Sequence, residues 1–318
     1  MTGAELVRTF ERNGYVVVPD LVDREHVRLP VEREYEALLA NLVDGWVASG
    51  ALPAAARDGD FVERLVTSYA AGLDWFQPFD ISLPPGDITA DTPFHAGEAV
   101  FRMMTDPAVL DVVERLIGPE ISSNPIQHVR IKVPPATLHE NESRAHITAT
   151  SWHQDRAVGL EESDGTRMVT VWIAMNDATL ENGCLCVVPG SHREPMRTHC
   201  PAGQLSIPDT LFDAATAVPV PVPAGGAVLL HPLTIHGSRP NTTDGIRWSF
   251  DLRYHATGEP SGRPMFPEFV ARSRRDPTST LRDAASWRAR WEEARDRLAG
   301  QGAPVAIHRW DGAGAVCA

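Results

Sequence analysis

The strongest constraint on the fold is a change of hydrophobic period at Ile121. Downstream, apolar residues recur every second position in short runs at 126–133, 147–155, 168–176, 184–188, 227–231 and 246–254, separated by Pro, Gly, Asn and Asp clusters. Several short strands without intervening helices predict an antiparallel sandwich or barrel.

Upstream, the pattern is mostly helical. A helix over Leu6–Arg12 is closed by Asn13-Gly14, and Tyr15–Val18 reads as a strand. Asp23 is placed to cap a helix that is perturbed at Pro30 and continues to about Trp46. Residues 49–95 read as Pro-rich irregular structure. Asp106-Pro107 opens a short helix whose Val109, Val112, Val113 and Leu116 share a face until Gly118-Pro119. Near the end, a helix from about Leu281 to Ala299 places Trp287, Trp291 and Leu298 on one face, Glu293 within reach of Arg297, and Gly300 at the C-cap. Neither a repeat nor a linker interrupts the chain. The expected organisation is one domain over 1–318, with a helical part to about 120, a β core over about 121–255 and a helical extension over about 256–318.

Composition narrows the partners. The net charge of −13 is spread without a basic stripe, which disfavours nucleic acid and anionic membrane surfaces. Met1–Tyr15 lacks an apolar leader core, and no apolar run approaches membrane-span length, so a cytoplasmic protein with a small-molecule partner is expected. The four cysteines (Cys184, Cys186, Cys200, Cys317) are too few and too scattered for a disulfide framework, which predicts reduced thiols in a reducing compartment.

Chemistry concentrates at Trp152-His153-Gln154-Asp155. On a strand, residues two apart point to one face, so His153 and Asp155 can approach one metal. Two imidazoles and one carboxylate on one side of an ion leave adjacent positions open, the arrangement that lets ferrous iron take a chelating 2-oxo acid and O2 together. His236, at the end of an apolar strand 81 residues after Asp155, is the candidate third ligand. Taken alone, His-x-Asp is common, and a hydrogen-bonded histidine near a strand edge is its ordinary alternative. The competing triplet His192-Arg193-Glu194 follows Pro189-Gly190-Ser191 and so falls in a turn. Cys184-x-Cys186 lacks a second pair at zinc spacing and reads as packing.

A dianionic 2-oxo acid also needs a cation for its distal carboxylate, and the planar fork of arginine suits it best. Arg247 lies eleven residues after His236 and opens Arg247-Trp248-Ser249-Phe250-Asp251-Leu252-Arg253-Tyr254, in which polar and apolar residues alternate strictly. In isolation such a strand would turn its polar face to water. If the metal site forms, the polar face instead lines a wet pocket and the apolar face packs against helices.

These motifs together resemble the phytanoyl-CoA dioxygenase family of iron(II)/2-oxoglutarate oxygenases. The resemblance runs through Leu116–Glu120, Ile131–Pro135, Trp152–Asp155, Trp172–Met175, Asn182–Leu185, Val188–His192 and His231–Ser238, followed by Asn241 and Arg247. It implies a mainly β double-stranded β-helix (jelly roll, cupin-like) with flanking helices, and iron held by His153, Asp155 and His236. It further implies that Arg247 and Ser238 hold 2-oxoglutarate beside Trp172 and Val129. A lysine that the family can use near this cosubstrate has no evident counterpart in 88–104, where His95 and Arg102 are the only substitutes. The implied reaction consumes O2, converts 2-oxoglutarate to succinate and CO2, and usually hydroxylates the substrate. Halogenases of this type replace the carboxylate ligand, so Asp155 argues against halogenation.

Gln127, Gln154, Arg156, Asp251 and Arg253 are the candidate substrate contacts, although Gln154 and Arg156 could equally sit in solvent. Loops at 136–147 and 193–217 are long enough to cover a pocket. Two other functions fit the same residues: a jelly-roll binding protein without chemistry, and a cupin-like metal isomerase or hydrolase that needs no 2-oxo acid.

Overall fold

A computed structural model describes residues 2–302 and 304–317. The helices begin and end where their capping residues stand. In α1 (Gly3–Asn13) Thr2 and Glu5 form a capping box, and Gly14, at φ 80°, takes the left-handed conformation that ends it. Asp23 caps a π-turn over Arg24–Arg28 that leads into α2 (Leu29–Ala48), so the irregularity expected near Pro30 becomes one wide turn before a regular helix.

The segment 49–95 is more ordered than its prolines suggest. It holds α3 (Phe61–Ala70), opened by an Asp60/Glu63 capping box, and α4 (Phe76–Phe79). Then come α5 (Glu98–Met104) and α6 (Pro107–Ile117), the latter capped by Asp106. The last helix, α7 (Ala284–Gln301), buries Trp287, Trp291 and Leu298 as expected, but its C-cap is Gly302 and not Gly300. Arg297 donates to the Met265 carbonyl at 2.5 Å instead of meeting Glu293.

Twelve strands lie in the described residues: β1 (Tyr15–Val18), β2 (Glu120–Ser123), β3 (His128–Lys132), β4 (Met168–Ala174), β5 (Leu185–Val187), β6 (Cys200–Ala202), β7 (Gln204–Ser206), β8 (Val218–Val220), β9 (Ala227–Leu230), β10 (His236–Ser238), β11 (Arg247–Ala256) and β12 (Phe269–Ser273). One antiparallel sheet runs β1-β9-β4-β11-β2-β12, with β3 also paired to β11, and a smaller one runs β10-β5-β8. β6 and β7 form a separate hairpin. β1 and β12 join the large sheet from outside the expected 121–255 core. The run 147–155 is not a strand: only His153 pairs, through an isolated bridge to His236, and Asp155 opens a 3-10 turn.

The large sheet has two different faces. Trp248, Phe250, Leu252 and Tyr254 of β11, with Val129, Ile131, Val169, Val171 and Ile173, pack against the helices in the main core. Trp172, Ala174, Val228 and Leu230 look the other way and meet Leu185, Val187 and Val220 of the small sheet. Two sheets closing over a shared interior, with helices outside the larger, make the jelly roll. The inward orientation of the polar side of β11 follows directly. Arg247, Ser249, Asp251 and Arg253 are all buried between the sheets.

Candidate metal centre and cavity

Backbone pairing delivers the first two candidate ligands. His153 and His236 exchange N–H···O bonds of 2.9 and 3.0 Å, which brings their rings to 4.2 Å between centroids. Each Nδ1 donates to a carbonyl two residues earlier: His153 to Ser151 and His236 to Thr234, both at 2.9 Å. That fixes the tautomer and leaves both Nε2 atoms as lone-pair donors facing the same point. The Asp155 carboxylate stands 3.5 Å from His153 Nε2 and 3.9 Å from His236 Nε2. All three residues are buried, with their ligand atoms within 4.8 Å of one another.

The electrostatics suit a dication. Burial would raise the Asp155 carboxyl, but the Arg253 guanidinium and His236 beside it hold it well below the usual carboxylate range. Thr170 Oγ1 donates to its other oxygen at 2.6 Å. His236, desolvated and next to His153, is pushed down to about 4 and stays neutral. An ionised carboxylate and two neutral imidazoles are the protonation states a metal needs.

A second buried group lies behind this centre. The Arg247 guanidinium sits over Trp172, 5.3 Å from the ring centre, and donates from Nε to the Gly183 carbonyl at 3.2 Å and from Nη1 to Ser249. Its Nη2 has no partner. Lys132 reaches the same place from β3, directly opposite Arg247 in register, and donates to Ser238 Oγ. Desolvation pulls the Lys132 amine well below its ordinary range, and the adjacent Arg247 adds to the effect. Burial likewise takes Arg247 down to about 9. Among the described residues no carboxylate lies within ion-pair distance of either group, although Asp251 nearby partly offsets both shifts.

The structure brings His153, Asp155, His236, Arg247, Ser238, Trp172, Asp251 and Arg253 to one interior, and it removes four other expected residues from it. Val129 faces the helices, opposite Phe250 in the main core, because β3 has the reverse of the expected phase. It is His128, Arg130 and Lys132 that point inward with Arg247, Ser249 and Asp251. Gln127 precedes the strand and is buried away from the cavity beside Ser123. Gln154 and Arg156 are buried and line neither the cavity nor the surface. Gln154 braces the Leu233 carbonyl and the Arg197 amide, and Arg156 donates to the carbonyls of Ser163 and Thr166. Neither stand-in for the lysine is near: His95 pairs with Glu34, and Arg102 pairs with Glu98 on the surface. Lys132 was present in the Ile131–Pro135 block. Its strict alternation with Val129 and Ile131 was the signal that would have located it.

A cavity of about 460 Å³ opens beside His153. Both expected covering loops border it, through Arg144–His146 and Gly203–Leu205, and so do Asp80, Arg263 and, from the C-terminal segment, His308. Asp80 accepts from His128 Nδ1 at 2.9 Å and from the backbone amides of Ile81 and Val129. Cys200 and Cys317 form a disulfide, contrary to the expectation of reduced thiols; two cysteines 117 residues apart meet because the C-terminal segment folds back across the β6-β7 hairpin. Cys184 and Cys186 are free, and Cys184 packs between the sheets as expected. Among the described residues no helix is long and apolar enough to cross a membrane.

A model of the phytanoyl-CoA dioxygenase family matches residues 10–249. Phytanoyl-CoA dioxygenase domain-containing protein 1 of Danio rerio is 35% identical over 166 residues, covering 48% of this chain and 52% of that protein. The Bos taurus protein of the same name is 41% identical over 168 residues, covering 49% and 53%. Peroxisomal phytanoyl-CoA dioxygenase of Homo sapiens is 30% identical over 176 residues, covering 52% and 49%. The chain thus spans about half the length of the curated relatives it matches. Among solved structures, the non-haem monooxygenase ThoJ aligns with a TM-score of 0.55 at 21% identity over 94% of this chain and all of that one. SnoK, a non-haem α-ketoglutarate-dependent carbocyclase, aligns with a TM-score of 0.51 at 18% identity over 89% of this chain and 96% of that one. Both share the fold.

Proposed function

The chain belongs to the phytanoyl-CoA dioxygenase family, and from that premise we propose that it is an iron(II)- and 2-oxoglutarate-dependent oxygenase that hydroxylates a small molecule. The observation that carries this reading is the convergence of His153 Nε2, His236 Nε2 and the Asp155 carboxylate at one edge of a cavity.

The residues fit both groups. Two tautomer-fixed imidazoles and an ionised carboxylate are a donor set for ferrous iron. The orphaned Arg247 Nη2 and the Lys132 amine, with Ser238 Oγ of β10 beside that amine, offer donors to a dianionic cosubstrate, and the dianion would supply the counter-charge that no carboxylate of the protein provides there at ion-pair distance. Bound iron, 2-oxoglutarate and O2 supply the oxidising power that inserts oxygen into a C–H bond while 2-oxoglutarate becomes succinate and CO2. Arg253 and Thr170 keep the Asp155 carboxylate oriented, and Trp172 walls the chamber between the metal ligands and Arg247. Asp155 occupies the position that a halide would require, which supports hydroxylation over halogenation.

The test is release of succinate on adding O2 to protein loaded anaerobically with iron(II) and 2-oxoglutarate. Slow turnover without substrate is expected, abolished in His153→Ala. No iron-dependent succinate from wild-type protein, with or without candidate substrates, would leave a ligand-binding jelly roll as the better account.

A further inference from the structure

Six arginines are buried among the described residues: Arg64, Arg130, Arg156, Arg247, Arg253 and Arg263. Three have carboxylate partners, in Glu36, Asp251 and Asp155 respectively for Arg64, Arg130 and Arg253. Arg156 places both terminal nitrogens on carbonyl oxygens. That leaves Arg247, assigned above to the cosubstrate, and Arg263.

Arg263 is 5% exposed and lines the same cavity as His153. One terminal nitrogen donates to the Val158 carbonyl at 3.2 Å, its Nε has no partner, and no carboxylate lies within ion-pair distance. Its orientation is built in. Gly262 takes φ +81° in a turn packed so closely that a Cβ there would lie 2.6 Å from Ser163 Oγ, and its carbonyl is held by the Leu160 amide. A buried guanidinium without a counter-ion at contact distance is costly, and an anion bound against it would relieve that cost. Burial, with Arg253 adjacent and only partly offset by the Asp80 carboxyl across the cavity, lowers Arg263 to about 9, and it remains a cation near neutral pH.

His308 lines the cavity on the same side, and its Nδ1 accepts from the Trp310 amide, which leaves Nε2–H as the donor of the neutral ring. Leu83, Ile126, Val158, Leu205 and Ile307 supply apolar walls.

We propose that the substrate is an amphipathic organic acid whose single carboxylate is held by Arg263, assisted by His308, with its apolar body extending past Ile126 towards His153. One unpaired guanidinium balances one negative charge, which favours a carboxylate over a phosphate dianion. The other cluster in this cavity, Asp80, His128 and His146, brings its ligand atoms within 4.8 Å of one another but does not suit a cation. Arg130, Arg253 and Arg263 surround the same space, and the Asp80 oxygens are already occupied by His128 and two backbone amides.

The inference rests on the oxygenase reading, because the centre at His153 is what makes this cavity a substrate chamber. The experiment uses the 318-residue chain saturated anaerobically with iron(II) and 2-oxoglutarate, so that Arg247 is occupied. Matched pairs (hexanoate and hexanamide, octanoate and octanamide, hydrocinnamate and hydrocinnamide) and inorganic phosphate are titrated by calorimetry. Acids should bind about tenfold or more tightly than their amides, the scale of a charge-assisted hydrogen bond. Arg263→Gln should erase that preference and leave 2-oxoglutarate affinity unchanged. Without ligand the variant should melt no lower than wild type, since an unpaired buried charge is removed. The proposal is overturned if no pair shows an acid preference, if phosphate outcompetes every acid, if the preference survives in Arg263→Gln, or if the variant is destabilised or unfolded, which would mark Arg263 as a brace on Val158. Failure of the oxygenase reading would appear separately, as wild-type protein that neither binds 2-oxoglutarate nor releases succinate.

Discussion

The Arg253 guanidinium is ion-paired with the Asp155 carboxylate, and both groups are buried. The carboxylate is therefore held ionised and in place before any metal arrives, by a residue of the same strand that carries Arg247. Removing it has two separable consequences. Asp155→Ala should abolish iron-dependent succinate release and also lower stability by about 3–5 kcal/mol, because Arg253 is left buried without its counter-charge. His153→Ala should abolish turnover equally while costing far less stability, since that neutral ring bonds the Ser151 carbonyl, faces His236 and stands 3.5 Å from Asp155, and its loss leaves no buried charge unpaired. Urea unfolding of the two variants would separate these cases. Equal stability losses would contradict the role given to Arg253.

Lys132 and Arg247 face each other across β3 and β11 and share the neighbourhood of Ser238. For Arg247→Ala the anaerobic affinity for 2-oxoglutarate should fall by about 2 kcal/mol or more, the scale of hydrogen bonds to a charged group, and Lys132→Met should give a smaller loss. Lys132→Met should also raise the melting temperature of the ligand-free protein, because a desolvated amine is replaced by an apolar chain of similar length. If Lys132→Met binds 2-oxoglutarate as wild type does, the amine serves only to position Ser238.

Much of this arrangement was legible in the sequence, and its failures share one cause. The alternation in β11 fixed which residues lie inside, since a two-residue period admits only two orientations and the metal triplet chose between them. The places expected for Gln127 and Val129 would need the odd-numbered residues of β3 to take the inward phase. Lys132, Arg130 and His128 define that phase, and pairing to β11 is a long-range fact that local pattern does not contain. His153 and Asp155 converge without the strand expected under them, since a bridge to His236 followed by a 3-10 turn achieves the same approach. Arg263, His308 and the Cys200–Cys317 bridge come from segments whose position depends on packing against the jelly roll, and no local period announces them.

Asp80 gives a pH signature on the opposite side of the cavity. Burial pushes its carboxyl from 3.8 up to about 7, only partly offset by His146 and the amides of Val129 and Ile81. Between about pH 4 and pH 7 the folded protein keeps a proton that the unfolded chain has released, so stability from this group falls as pH rises through that window, by a few kcal/mol in all. Asp80→Asn keeps an acceptor for the backbone amides and cannot ionise. The stability difference between Asp80→Asn and wild type should therefore shift in favour of the variant from pH 4 to pH 7, measured by urea midpoints. A difference that does not vary with pH would mean that Asp80 is ionised throughout.

The disulfide holds the segment that carries His308 over the cavity. Arg309 also pairs with Asp164, Trp310 Nε1 donates to the Ala157 carbonyl at 3.0 Å and the Val305 amide donates to the Pro85 carbonyl at 3.0 Å, so the bridge is one of several ties. Closing a loop of this length is worth up to about 5 kcal/mol in the chain-entropy model, and less wherever the remaining ties or the unfolded chain already restrict the ends. Cys317→Ser should therefore lower the melting temperature only under non-reducing conditions and match reduced wild type under reducing ones. Faster hydrogen exchange should be confined first to residues 304–317 and the β6-β7 hairpin. Thiol titration in non-reducing denaturant checks the premise directly: Cys184 and Cys186 should react and Cys200 and Cys317 should not. Reaction of all four in protein purified without reductant would remove the bridge, and the tail would then be held by Val305, Arg309 and Trp310 without it.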